Sequence, residues 1–451
     1  MLYQMRYQNP HASAPLALPV LVLCNTPDEE LEANIRRNSA LDIDWLAFVP
    51  EHKSIAIMVG GGPSLAETLP EIQRHVAKGG VVFAMNGASQ YLTDRNIPVH
   101  YQVIADAKAE TASLVDPDAE QHLIASQVNP ATADAAGPHK RLWHLSISED
   151  FDKHFPEHRR KAGGYALIGG GASVGNSALC VAYVLGFRRF EILGYDSSHR
   201  GEASHAYSQP MNQFIPTIDV EWAGKNYISS LAMKAQAEKF QVTGQALKQA
   251  GCTLNLHGDG LLPAMWNTPV DQMTEKDKYR LMWSVEEYRN VSPGEACVDQ
   301  IIERLKPDSL VIDYGCGTGR ASLELSKRGV PVLLVDFADN CRDEEAINLP
   351  FLEWDLSKPM PCSSEYGICC DVMEHMPEDQ VDAVLRNILA ASSKVYFQIS
   401  TVADQFGAMI GGHLHLSVNP AVWWHTKFYD LGFGVEWMEF DENSVRLIAT
   451  R

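Results

Sequence analysis

The stretch "VIDYGCGTGR", residues 311 to 320, sets Asp313, Gly315, Gly317 and Gly319 at the end of an apolar run that reads as a strand turning into a helix. Glycines at such a turn let the main chain approach a ligand, and the helix start that follows attracts negative charge. About twenty residues on, "PVLLVD" ends in Asp336, an acid suited to the two hydroxyls of a ribose. "EWDLS" adds Asp355, placed for an adenine amino group, and "CCDVMEHMP" adds Asp371, followed by Glu374 and His375. This is a constellation for a nucleoside-bearing ligand. Downstream, "GGHLHLSVNPAVWW" offers His413 and His415 as bases for an acceptor that must lose a proton. Their alternation puts both on one strand face, or leaves them as polar loop residues.

The N-terminal half holds a second set. "AIMVGGGPSL" brings Gly60, Gly61, Gly62 and Ser64 to a strand end, and "ALIGGGASVGNSAL" brings Gly170, Gly171 and Ser173 to another. Ser64 and Ser173 are expected to cap the helices that follow. Two such turns at one sheet edge make two anion sites, enough for a diphosphate or for a phosphate plus a carboxylate. Asn86, Asp106 and Asp196 close further apolar runs, and His205 lies in "SHAYSQ". Parallel strands present their C-terminal ends on one side, so Asp106 and Asp196 are expected to face one crevice. Two acids beside two anion-attracting helix starts call for a cation, and Mg²⁺ bridging acid and phosphate would reconcile them.

What positions these residues is an alternation of short apolar runs with helical patterns, from about residue 17 to 260 and again after 296. Such alternation predicts an α/β protein: two Rossmann-like, mostly parallel, three-layer domains joined by a helical linker. The expected divisions are an extension over 1–50, a first domain over 51–265, a polar helical linker or lid over 266–296, and a second domain over 297–451. Trp283 and Tyr288 are the aromatic residues with which that linker would cover a site. "GVEWMEF" and "SVRLIAT", separated by "DEN", read as a closing hairpin.

Composition limits the partners. The 451 residues are 45% hydrophobic and 21% charged, a globular balance, and the net charge of −20 speaks against nucleic acid. No apolar run approaches the roughly 20 residues that span a bilayer, and no basic stretch precedes the first apolar one, so neither a membrane segment nor a secretion signal is expected. Nine scattered cysteines without a C-x-x-C pair predict reduced thiols and a cytoplasmic protein.

Residues from about 296 to the end resemble the class I S-adenosylmethionine-dependent methyltransferases, through D-x-G-C-G-T-G, the acid after the second strand, D-V-M-E-H and the closing hairpin. The resemblance implies S-adenosylmethionine as cofactor, lined by Gly315, Gly317, Asp336, Asp355 and Asp371, and a last strand inserted in reverse. Residues 50 to 265 resemble the family named for archaeal-type 6-hydroxymethylpterin diphosphokinases, which includes the motility accessory factor glycosyltransferases. "GGGPSL", "NIPVHYQVIAD", "GGGASVGNSALCVAYVLGF", "ILGYD" and "HAYSQPMN" carry it. In a diphosphokinase, Asp106 and Asp196 would hold Mg²⁺ with ATP. In a glycosyltransferase, His205 would serve as acid or phosphate contact for a sugar nucleotide. The long N-terminal addition favours the glycosyltransferase side, with a small-molecule or glycan acceptor and a nucleotide-activated donor. A binding-only N-terminal domain is the remaining alternative.

Overall fold

The structure, a computed structural model, describes residues 2–7, 16–21, 26–146, 167–169, 173–208, 216–410 and 412–451. The chain forms two compact units, Met1–Thr268 and Pro269–Arg451.

In the first unit the strands are β1 (Leu2–Tyr7), β2 (Leu16–Leu21), β3 (Ile55–Val59), β4 (Val81–Met85), β5 (Tyr101–Ile104), β6 (Gln121–Ala125), β7 (Lys140–Leu145), β8 (Leu167–Ile168), β9 (Arg189–Leu193), β10 (Ile218–Trp222), β11 (Lys225–Ser229) and β12 (Thr253–Leu256). Eight of them make one parallel sheet in the order β12-β9-β3-β4-β5-β6-β7-β8. Runs such as Ile55–Val59 are apolar throughout because both faces of a parallel sheet are covered. The chain steps outward from β3 to β8, then returns to the other side of β3 as β9. Right-handed crossovers therefore put the helices Leu65–Ala77 and Val174–Val184 on opposite faces. The return creates a switch point between the C-terminal ends of β3 and β9, the place where such sheets hold ligands.

Part of the expected 1–50 extension belongs to this unit. The helix Asp28–Ser39 buries Leu31 and Ile35 against Ala107, and its Asn38 amide donates to the carbonyls of Ser126 and Val128 at 2.9 and 2.8 Å. An amphipathic helix with two buried asparagines is hard to assign from sequence, because its fixing bonds run to loops far along the chain.

The second unit holds β13 (Val311–Tyr314), β14 (Val332–Asp336), β15 (Phe351–Glu353), β16 (Ser364–Cys370), β17 (Ser392–Ser400), β18 (Gly434–Phe440) and β19 (Ser444–Thr450), ordered β15-β14-β13-β16-β17-β19-β18. All pairs are parallel except those of β19, which lies antiparallel between β17 and β18. The reversed last strand is as expected. The expected linker divides: its first residues, 266–268, fall in the first unit, whereas Tyr279 and Met282 of the helix Glu275–Met282 join the core of the second. Phe397 of β17 is fully buried and meets the ring of Phe428 edge-on at 5.0 Å. Phe397→Ala is expected to cost about 3–5 kcal/mol, the usual range for deleting a core phenylalanine, read as a lower urea midpoint in near-UV circular dichroism.

Candidate functional sites at the two sheet edges

In the second unit four adjacent strands, β15, β14, β13 and β16, end on one edge, and each delivers one part of the predicted set. The turn after β13 runs through Gly315, Gly317 and Gly319, all at positive φ (75°, 50° and 76°). Gly317 is restricted twice over: a β-carbon there would need a left-handed backbone and would lie 2.8 Å from Cη2 of Trp283. Its N–H donates to Oδ2 of Asp336 at 3.0 Å, and the N–H of Ala338 donates to Oδ1 at 2.9 Å. A carboxylate has about four acceptor positions, so Asp336, which the Phe337 N–H also bonds, keeps capacity for a ligand hydroxyl. Burial pushes this carboxyl up to about 6, opposed by its backbone N–H bonds.

Asp355, just beyond β15, accepts the Ser357 N–H at 2.9 Å. Asp371, just beyond β16, sits at φ 53° and is held by the Gln398 side-chain amide. A non-glycine residue in that conformation stores strain that the surroundings must oppose. Burial raises both Asp371 and its neighbour Glu374. Glu374 accepts the Ser400 N–H at 3.0 Å and is fully buried.

Asp313 departs from its expected role. It is buried beneath the turn, where Oδ2 accepts the Ser322 hydroxyl at 2.6 Å, so it braces the helix Arg320–Lys327 from below. Of the two candidate bases, His413 is exposed and His415 comes to the edge. The ring of His415 lies 4.7 Å from that of His375, and its Nδ1 donates to the Val402 carbonyl at 2.6 Å. His375 is locked by the Tyr279 hydroxyl and the Leu414 carbonyl, and burial drives its imidazole down to about 3, neutral at ordinary pH.

The segment before β13 covers this edge. Trp283 packs on Gly317 and against Tyr288 at 4.7 Å, and Tyr288 stacks edge-on with Phe406 at 5.7 Å. Burial and the nearby Asp336, Glu374, Asp404 and Asp371 together push the Tyr288 phenol above its ordinary range. Tyr279, Gln398 and Asp404 were not legible as site residues: they reach the edge from helix, strand and loop positions with no motif of their own.

In the first unit the switch point is drawn together by Asp196. Its Oδ2 accepts the Ser64 N–H at 2.8 Å, while Gly60 and Gly62 donate to Leu193 and Gly194 at 2.9 and 2.8 Å. A β-carbon on Gly62 would lie 2.7 Å from the Gly194 carbonyl oxygen. The glycines are thus needed for main chain to pass main chain. Ser64 is not the expected cap: its side chain makes no capping bond, and Asp196 supplies the acceptor that the helix Leu65–Ala77 requires. Ser173 does cap, accepting the Asn176 N–H at 3.2 Å. Burial raises the Asp196 carboxyl, against the opposing bonds from Ser64. Gly170 and Gly171 lie outside the described residues.

Asn86, beyond β4, sits at φ 47°, and its buried Oδ1 has no partner among the described residues. Beside the turn, Tyr207 stacks on Tyr91 at 5.3 Å and the Ala206 N–H donates to the Gly61 carbonyl at 3.0 Å. That strap carries His205, whose burial lowers it to about 4. A neutral imidazole at ordinary pH is a hydrogen-bonding group, a poor general acid and no cation for phosphate. Asp106 lies beyond β5, with β3 and β4 between it and β9. Three strand spacings are about 14 Å, too far for Asp106 and Asp196 to ligate one ion. The expected paired-acid Mg²⁺ site is therefore not formed; Asp106 accepts the Lys108 N–H at 2.9 Å in a local turn.

Comparison with known proteins follows the same division. The family "6-hydroxymethylpterin diphosphokinase MptE-like" matches residues 31–202. A curated relative, a probable cobalt-precorrin-6B C(15)-methyltransferase (decarboxylating) of Methanococcus maripaludis, is 27% identical over 164 residues, 30% of this chain and 86% of its own. The N-terminal half resembles the MptE-like and motility accessory factor family, and the C-terminal half resembles the class I S-adenosylmethionine-dependent methyltransferases. Among solved structures, magnesium protoporphyrin IX methyltransferase of Synechocystis PCC 6803 with bound SAH aligns at 19% identity and TM-score 0.31, covering 39% of this chain and 93% of that one. A MAf glycosyltransferase of Magnetospirillum magneticum AMB-1 aligns at 15% identity and TM-score 0.38, covering 66% of this chain and 49% of that one. No helix among the described residues is long and apolar enough to cross a membrane.

The buried Asp313 gives a test in pH. Burial lifts its carboxyl to about 7 from an ordinary 3.8, so across that interval the native chain holds a proton that the unfolded chain has lost. Its contribution is fully present below the lower value and declines as pH rises through the upper one. Asp313→Asn keeps an acceptor for Ser322 and should show a flatter fall in urea midpoint between about pH 4 and pH 7. Parallel profiles for the two proteins would refute the assignment.

Proposed function

We propose that the chain is a two-part transferase. Its C-terminal half would move a methyl group from S-adenosylmethionine, and its N-terminal half would move a glycosyl group from a nucleotide-activated donor to the same or a related acceptor. The observation that carries the first part is Asp336, fixed by the Gly317 N–H at a strand end with acceptor capacity to spare. In this reading Gly315, Gly317 and Gly319 form the floor, Asp336 takes the ribose hydroxyls, Asp355 meets the adenine amino group, and Asp371 lies toward the amino-acid end. S-adenosylmethionine, when bound, supplies a methyl group already activated by its sulfonium. The protein's own work is then alignment and exclusion of water. Trp283 and Tyr288 serve the exclusion. With Nδ1 donating to Val402, His415 keeps its Nε2 lone pair for an acceptor proton.

For the N-terminal half, the separation of Asp106 from Asp196 argues against phosphoryl transfer on a metal held by both. The orphaned Asn86 Oδ1, the helix start at Ser64 and the neutral His205 suit a donor bound through hydrogen bonds. The MptE-like match favours the alternative of a diphosphokinase, which would bring ATP to the same turn.

Calorimetry on the full chain tests the proposal. S-adenosylmethionine should bind, and Asp336→Ala should weaken it by roughly 1.5–3 kcal/mol, the scale of hydrogen bonds to a charged group. A sugar nucleotide should bind in the presence of chelator and leave S-adenosylmethionine affinity unchanged. Absence of heat with S-adenosylmethionine would remove the methyltransferase half. ATP binding that requires Mg²⁺, with no response to any sugar nucleotide, would replace glycosyl transfer by the diphosphokinase.

A further inference from the structure

Beneath the helix Leu65–Ala77, away from the strand-end glycines, four side chains converge that neither half's proposed chemistry uses. Glu71 and His75 lie one turn apart on that helix, Glu191 points up from the middle of β9, and His257 follows β12. Nε2 of His75 is 2.8 Å from Oε1 of Glu71 and 3.8 Å from Oε2 of Glu191, and that same Oε2 is 2.8 Å from Nε2 of His257. The ligand atoms of Glu71, His75 and His257 all fall within 4.8 Å of one another. A tetrahedral zinc ion with N and O bonds of about 2.0–2.2 Å holds its ligand atoms roughly 3.3 Å apart. The separations of 2.8 and 3.8 Å lie on either side of that figure, with Glu191 joining the group of three through His75 and His257.

Charge points the same way. Glu191 stands on an interior strand with its side chain 12% exposed, and its ionic partners among the described residues are the two imidazoles alone. No lysine or arginine among those residues pairs with it. A carboxylate so placed requires a compensating cation. Its other oxygen, Oε1, accepts the Asn255 amide at 2.9 Å, the kind of outer bond that fixes a metal-binding carboxylate. Glu71 and His257 remain partly open to solvent, with side chains 24% and 29% exposed, so an ion has a way in once it displaces Arg74, which pairs with Oε1 of Glu71 from the open side.

We infer that Glu71, His75, Glu191 and His257 form a binding site for a divalent transition-metal ion of the zinc type. Two imidazoles with two carboxylates suit such an ion and are uncommon for calcium or magnesium, which take oxygen ligands. Binding uses the Nε2 lone pairs of both histidines, so any proton on those atoms is released to solvent. The ion braces the neighbouring crevice. His257 opens the turn that contains Gly258, where a β-carbon would lie 2.7 Å from Oγ of Ser64 and 3.2 Å from Oδ1 of Asp196. Metal bound here ties the helix, β9 and that turn into one wall beside Asp196.

The test is metal binding by the full chain, independent of any transferase substrate. Protein stripped with chelator and titrated with Zn²⁺ should take up one ion per chain by elemental analysis, with a rise in Tm. Co²⁺ in place of Zn²⁺ should give the visible absorption of a four-coordinate N/O site. Asn255→Ala should weaken zinc about 10-fold and His75→Asn with His257→Asn about 100-fold or more, the effect of losing an outer bond setting the lower scale. His415→Asn, at the separate Glu374, His375 and His415 grouping, should leave uptake unchanged. Substoichiometric zinc in the wild-type chain at saturating metal overturns the inference even if the double variant fails to fold. So does uptake that survives in the folded double variant or is lost in His415→Asn.

Discussion

Both sheet edges depend on one interaction: a carboxylate at the end of a strand accepting an N–H from the turn that follows the neighbouring strand. In the C-terminal unit it is Asp336 with Gly317, and in the N-terminal unit Asp196 with Ser64. A glycine turn alone is a flexible loop whose amides point nowhere in particular. Once an acid on the adjacent strand receives one of those amides, the turn has a fixed shape and the helix behind it starts in a fixed place. Hydrogen bonds to charged groups are worth about 1.5–3 kcal/mol each, enough to hold such a loop against its conformational entropy. The buried acid is the cost, visible in the raised carboxyls of Asp336 and Asp196.

The two edges differ in what the clamp leaves over. Asp336 accepts a backbone N–H on each oxygen and retains the rest of its acceptor capacity, and aromatic residues of its own unit cover the turn it holds. Asp196 holds the Ser64 N–H through Oδ2, so standing in for the missing serine cap of Leu65–Ala77, and its buried Oδ1 has no partner among the described residues. In the proposed reading, ligand recognition in the first unit rests with Asn86, the Gly61 turn and the strap through His205 and Tyr207. Asn86 and Asp371, both at positive φ directly beyond a strand, mark the corresponding place on each edge.

Sequence made the fold and the C-terminal set legible because their signals are local. Apolar runs bounded by glycine identify buried parallel strands, and D-x-G-x-G-x-G with an acid about twenty residues on names its own partner. What sequence could not give was strand order. Asp106 and Asp196 look equivalent in one dimension, each an acid closing an apolar run, yet β3 and β4 separate their strands. Ser64 looked like a cap because serine usually is one, and only the fold shows Asp196 taking that role from 132 residues away. The Glu71, His75, Glu191 and His257 cluster was invisible for the same reason, since two of its members come from distant strands. Asp313, part of a motif read as cofactor-binding, turned out to support the turn from behind.

The Asp336 clamp organises the turn on which, in the proposed reading, the methyl donor rests. Hydrogen exchange on the full chain, with and without S-adenosylhomocysteine, examines it directly. The expected result is slow exchange at the Gly317 amide in the free protein, further protection over 315–319 and 283–289 on adding ligand, and loss of both effects in Asp336→Asn. Rapid exchange at Gly317 in the free protein, or ligand protection confined to segments away from that turn, would contradict it.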